Sequence, residues 1–220
     1  MAAVTPAELN KSLTILLNDC LADTGFSKKR IGRLERKAAE CEQFFLLYFT
    51  RRRGLPGNLY ALTATLAFSF PEVNRLTCEF SGEKREDARR AFDGLKPFYT
   101  VVPGEPLLKY TYCSDEPLSR FAEMVAEDFR SFALPFYEKY DTLEKLRNCF
   151  SEELKGNKCD FHVSHSGKKP GEGRACCIAA VLCLLEKREE LRQFLEKAEI
   201  LSDEEKSRMT EYFLRTCKEF

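Results

Sequence analysis

Two stretches, Cys41 to Arg53 (CEQFFLLYFTRRR) and Asn58 to Phe70 (NLYALTATLAFSF), decide how this chain folds. The first carries six consecutive large apolar residues, Phe44 to Phe49, between charged flanks, which suits a strand covered on both faces. In the second, Tyr60, Leu62, Ala64, Leu66, Phe68 and Phe70 alternate with Ala61, Thr63, Thr65, Ala67 and Ser69, the period of a strand with one fully apolar face. Gly54-Leu55-Pro56-Gly57-Asn58 is punctuated as a turn. Antiparallel pairing across it is the simplest connection.

Upstream, Thr5-Pro6-Ala7-Glu8 has a cap residue, a proline at the first helical position and an acid in the first turn. Leu9, Leu13, Leu16, Leu17, Cys20 and Leu21 then form an apolar stripe, with Asn10, Lys11, Asn18 and Asp19 expected on a solvated face. Gly25 closes this helix. Lys28 to Lys37, KKRIGRLERK, reads as a polar edge strand or an entry segment. Downstream of Pro71, VNRLTCEF reads as a third, irregular strand and Gly82 to Gly94 as a short surface helix. Tyr99 to Val102 and Leu107 to Cys113 read as short strands, giving four or five strands in all.

After Cys113 the pattern is helical. Leu118, Phe121, Met124, Val125, Phe129 and Phe132 recur at helical spacing, Pro135 should kink or break that helix, and Asp141-Thr142-Leu143-Glu144 opens another. A basic, glycine-rich linker, Lys155 to Arg174, precedes helices expected over Ala175 to Ala198 and Ser202 to Cys217. Segregated strands and helices indicate an α+β fold: an N-terminal helix, a mostly antiparallel sheet and a C-terminal helical tail. The expected organisation is a sheet domain over 1–154, a linker over 155–174 and a helical extension over 175–220 that packs on the same domain.

The chain has 220 residues, 35 Lys+Arg against 35 Asp+Glu, a pI near 6.8 and 44% apolar residues. Such a chain builds its core without disulfides or metals, and zero net charge argues against a general polyanion binder. The longest apolar run, Cys176 to Leu185, is half the length of a membrane span. The N-terminal residues have no cationic and apolar regions in the order of a secretory signal, so the expected location is the cytoplasm, with reduced thiols. The ten cysteines are then mostly small core residues, among them Cys20, Cys78, Cys149, Cys176, Cys177 and Cys183.

Three features carry a family resemblance: the first helix ending in Thr24-Gly25-Phe26-Ser27-Lys28-Lys29, the strand pair with its FFLLYF core, and Phe132-Ala133-Leu134-Pro135-Phe136 followed by Thr142-Leu143. With these in this order, roughly the first 150 residues resemble the bacterial domain-of-unknown-function family four-three-zero-four. The segment from Ala179 to Leu195 looks like the tail such proteins often carry. The resemblance implies an α+β fold and a bacterial intracellular setting, and it transfers no catalytic residue.

Charge is asymmetric along the chain. Residues 28–53 hold nine basic and three acidic groups, net +6, whereas 115–153 hold five basic and ten acidic groups, net −5. A hairpin would gather Lys28, Lys29, Arg30, Arg33, Arg36, Lys37, Arg51, Arg52 and Arg53 into one basic sheet-edge stripe that suits an acidic protein partner or a phosphate backbone. Nucleic acid is the weaker fit, since the aromatics needed for base stacking are expected to alternate inward.

The other cluster is Cys159-Asp160-Phe161-His162-Val163-Ser164-His165. Cys159, His162 and His165 could place three donors around a zinc ion, with Asp160, Cys149 or Cys176 as a fourth, although the spacing matches no paired-knuckle pattern. A histidine-activated Cys159 nucleophile and a phosphate-cradling loop at Gly167 to Arg174 are further chemistries at the same place. No GxSxG, HExxH, GxGxxG or kinase signature anchors an enzyme reading. The expected function is a non-enzymatic protein-binding module, immunity-like or a regulatory adaptor, that uses the basic stripe and no cofactor. The alternatives are a metal-binding module or metal-dependent enzyme at Cys159, His162 and His165, and nucleic-acid binding.

Overall fold

The computed structural model describes residues 4–51, 56, 58–82, 92–105, 109–154, 159–164 and 171–216. In chain order the elements are α1 (Pro6–Cys20), β1 (Ser27–Arg30), β2 (Arg33–Lys37), β3 (Glu42–Thr50), β4 (Leu59–Ser69), α2 (Pro71–Ser81), β5 (Phe92–Pro97), β6 (Thr111–Cys113), α3 (Leu118–Asp128), α4 (Leu134–Glu138), α5 (Leu143–Leu154), β7 (His162–Ser164), α6 (Glu172–Leu184), α7 (Arg188–Lys197) and α8 (Asp203–Thr216). The class is α+β, with an N-terminal helix, a seven-stranded antiparallel sheet and C-terminal helices. The strand order is β1-β2-β3-β4-β5-β7, and β6 pairs with β4. The seven strands differ from the four or five expected because Lys28 to Lys37 folds as a hairpin and Phe92–Pro97 and His162–Ser164 are strands, while two of the expected strands are not. By internal contacts the chain forms two compact units, 1–38 with 42–67 and 96–139, and 39–41 with 68–95 and 140–220.

In the first unit, Thr5 and Glu8 close a reciprocal capping box on α1, whose Leu9, Leu13 and Leu17 are buried. β3 buries Phe44, Phe45, Leu47 and Phe49 but leaves Tyr48 half exposed, so it is not covered on both faces throughout. β4 buries residues of both parities, including Ala61, Ala67 and Ser69, which extends the single apolar face expected. The core is aromatic: the Phe129 ring lies 5.0 Å from Phe26 and 4.8 Å from Phe45, and Phe45 meets Phe98 at 5.2 Å. Tyr99 to Val102 is not a strand; Phe98–Thr100 is one tight helical turn that buries Phe98. Pro135 acts as expected. Its missing N–H and its ring are accommodated by a widened turn over Phe129–Ala133, between α3 and α4.

In the second unit, VNRLTCEF is helix rather than strand. Pro71 starts α2, Gly82 ends it at φ +73°, and Val73, Leu76, Thr77 and Phe80 form its buried face. The charged stretch Gly82 to Gly94 is not a helix throughout either, because Phe92, Asp93 and Gly94 open β5, while 83–91 lie outside the described residues. Lys155 to Arg174 is not linker throughout, since it contains β7 and the first turn of α6. The helix expected over Ala175 to Ala198 is two helices, α6 and α7. Glu186 adopts φ +53°, and the Lys187 N–H returns to the Leu182 carbonyl, which ends α6 without glycine or proline. Every residue from Ala175 to Cys183 is buried, the pattern of a helix enclosed on all sides.

Phe68 stacks on Tyr140 at 5.5 Å, meets Phe161 at 5.1 Å, and covers Gly94 so closely that a Cβ there would lie 2.1 Å from its ring. Gly94→Ala therefore forces a fenced ring to move. We expect a loss of about 1–3 kcal/mol in urea unfolding, the usual cost of overpacking. Wild-type stability would show that the ring swings aside freely.

Candidate functional site

The β1–β2 hairpin is held by one helix. Asn10, Thr14 and Asn18 recur every four residues and share a side of α1. The Asn10 Oδ1 accepts the Phe49 N–H at 2.6 Å, the Thr14 Oγ1 accepts the Gly32 N–H at 2.9 Å, and the Asn18 Oδ1 accepts the Lys28 N–H at 2.8 Å. Asn10 and Asn18 thus differ from the solvated residues expected. The reason is strand length: β2 ends at Arg33 opposite Leu46, so β3 continues beyond its neighbour and the Phe49 N–H needs an acceptor from elsewhere. At the turn, Gly32 has φ +74° and a Cβ would lie 2.6 Å from the Leu47 carbonyl oxygen, leaving room for glycine alone.

The nine cations of the expected stripe have different fates. The register places Arg36 opposite Gln43, whereas Arg51 is eight residues further along β3, roughly 26 Å away in extended chain, so they form no continuous stripe. Arg36 lies over the Phe26 ring and donates to the Gln43 Oε1 at 2.7 and 2.9 Å and to the Thr24 carbonyl at 3.0 Å. Arg33 sits over Phe44 and pairs with Glu35 at 2.9 Å. Arg51 donates to the Tyr60 hydroxyl at 2.9 Å. These three serve the fold. Lys37 is exposed at the end of β2, in register with Glu42, and Arg52 and Arg53 lie outside the described residues. Lys28, Lys29 and Arg30 are exposed along β1, and among the described residues only Lys29 pairs with an acid, Glu35 at 3.7 Å. A shallow depression at this turn is lined by Arg30, Ile31, Gly32, Arg33, Leu47 and Tyr48, of which Ile31 is 57% and Tyr48 50% exposed.

β1 is an edge strand, yet it is a poor template for a further strand. Its ladder is irregular between Lys28 and Arg30, and the Lys28 N–H is already taken by Asn18. Recognition here falls to side chains.

The Cys159 cluster assembles differently from the sequence reading. Cys159 lies beside Cys149 of α5, their sulfurs 2.7 Å apart, and this contact, followed by burial, pushes the Cys159 thiol above its ordinary range. Its next neighbour is the Glu153 carboxylate at 3.5 Å, which Arg174 holds at 2.6 Å while lying over the Phe150 and Phe161 rings. His162 is exposed on β7, and His165 lies outside the described residues; among the described residues no group of three or more His, Cys, Asp and Glu is placed to hold a metal ion. Of the Gly167 to Arg174 loop, Gly171 and Glu172 lead into α6 and Arg174 is committed to Glu153, while 167–170 lie outside the described residues. Cys20 and Cys149 are partly exposed and not core residues; Cys78, Cys176, Cys177 and Cys183 are buried.

No family model, curated protein or solved structure matches this chain. No described helix is long and apolar enough to cross a membrane.

Of the features that reading by composition overlooked, the Asn10-Thr14-Asn18 ladder had a signal in its spacing of four. Cys149 and Cys159 had none, being ten residues apart across a helix end. The sorting of cations is testable by stability alone. Arg36→Ala removes three hydrogen bonds and a ring contact and should cost about 1–3 kcal/mol in urea unfolding. Lys28→Ala and Arg30→Ala should stay within about 0.5 kcal/mol.

Proposed function

We propose that this chain is a non-enzymatic binding module, of the immunity-protein or regulatory-adaptor kind, that docks an acidic protein partner on the β1–β2 hairpin. One observation carries the reading: three consecutive cations, Lys28, Lys29 and Arg30, stand exposed on an edge strand beside the exposed Ile31 and Tyr48. An apolar residue and an aromatic residue flanked by cations is the composition of an interface centre with a steering rim. Among the described residues the acid paired with these cations is Glu35, and a partner's carboxylates would complete them. The family resemblance adds nothing to the surface, because it transfers no residue.

Strand addition is not the mode we infer, since Asn18 and the irregular ladder occupy the edge. Affinity then rests on Ile31 and Tyr48, and the cations act on association rate and partner choice. Tyr48 beside Arg30 also offers one stacking platform for a nucleic-acid base, which gives that reading a single point of support.

The test is capture and identification of a partner on the immobilised chain, followed by titration with the purified partner. The Lys28→Glu, Lys29→Glu, Arg30→Glu triple variant should weaken binding at least tenfold while its thermal midpoint stays unchanged. The association rate of the wild-type chain should fall as salt rises. Full binding by the triple variant would reject the surface. A labelled oligonucleotide bound more tightly than the protein partner, with a steep salt dependence, would favour nucleic acid.

A further inference from the structure

We propose that Cys149 and Cys159 form a redox-active dithiol that closes to a disulfide by exchange with a small-molecule disulfide such as oxidised glutathione. The inference stands apart from the hairpin surface and does not depend on it. Its basis is geometric. The two sulfurs lie 2.7 Å apart, inside the contact distance of unbonded sulfur atoms, in the absence of any bond between them. One thiol lies on the C-terminal half of α5 and the other just beyond its end, and both are partly exposed, so an external disulfide can reach them.

The surroundings favour two-electron thiol chemistry over metal binding. Zinc needs three or four protein donors, and the described residues supply no such group here. The Arg174 guanidinium, held against Glu153 at 2.6 Å and over the Phe150 and Phe161 rings, offsets only part of what the Cys149 contact and burial do to the Cys159 thiol, which stays above its ordinary range, so exchange is slow and favoured by higher pH. Of the other cysteines, Cys20 and Cys113 are partly exposed, Cys217 lies outside the described residues, and the rest compete poorly. Cys41, Cys78, Cys176, Cys177 and Cys183 are buried, and Cys176 and Cys177 are adjacent on α6, where successive side chains diverge by a large angle.

The reaction balances as an exchange. A thiolate of the pair attacks one sulfur of the small disulfide, forming a mixed disulfide and releasing one thiol. The second thiolate then attacks the protein-side sulfur and releases the other thiol. The protein gives up two protons and two electrons, and the small disulfide becomes two thiols. The product ties the last turns of α5 to the residues leading into β7, which limits the freedom of the unfolded chain over that loop.

The chain as it exists is equilibrated in mixtures of reduced and oxidised glutathione, alkylated, and digested with trypsin without reduction. Cleavage after Arg147, Lys155, Lys158 and Lys168 places the two cysteines on separate peptides, 148–155 and 159–168. We expect these two as one linked species, two hydrogens lighter than their sum and separated by dithiothreitol, with a thermal midpoint about 5–10 °C higher than that of the reduced chain. Cys149→Ser should keep the fold, carry glutathione on Cys159 and lose the oxidant-dependent rise. Both peptides alkylated in every mixture, stable glutathione adducts on both sulfurs of the wild-type chain, or links scattered over other cysteines would overturn the proposal.

Discussion

A backbone N–H deprived of its strand neighbour has to be satisfied by some other acceptor, and in the first unit α1 supplies three. Asn10, Thr14 and Asn18 accept from Phe49, Gly32 and Lys28 at three points of the β1–β2–β3 edge. For Phe49 the requirement follows from β3 running on past the end of β2, for Gly32 from its place in the turn and for Lys28 from its place on the edge strand. Leucines from the adjoining side of the same helix fill the core, so a single element provides both apolar burial and polar satisfaction. The attitude of the hairpin, and with it the exposure of Lys28 to Ile31 and Tyr48, depends on those three bonds and on the glycine at the turn.

The second unit is organised by close packing. Gly94 leaves room for the Phe68 ring, which Tyr140 and Phe161 then enclose. The buried Asp93 carboxylate accepts the Phe70 N–H at the start of α2, where the helix dipole favours negative charge, and takes a contact from the Cys177 thiol at 3.7 Å. α6 is enclosed along its length, which explains why its sequence shows no periodicity at all. Cys149 lies in the C-terminal half of α5 and Arg174 in the first turn of α6.

Much of the architecture was legible. The capping box at Thr5, the strand character of Phe44 to Phe49, the alternation through β4, the widened turn before Pro135 and the helical tail all follow from local rules of period and capping. The misreadings also have local causes. α2 carries a proline at its start, a glycine at its end and a buried face at helical spacing, yet its mixed polarity resembled an irregular strand. The break at Glu186 has no such marker, because the turn there uses a positive φ at a residue with a side chain. The basic stripe was overcounted since composition cannot separate a cation that stacks on Phe26 from one that stands in water.

By itself, then, the sequence determined the class of the fold, the placement of most helices and the concentration of positive charge before and after β3. These depend on periodicity, capping and composition, which are properties of neighbours along the chain. Only the tertiary structure decided which cations remain available, that Asn10 and Asn18 face backbone rather than solvent, and that Cys159 meets Cys149. Those outcomes depend on strand register and on where helices end, and both are set by contacts between residues far apart in the chain.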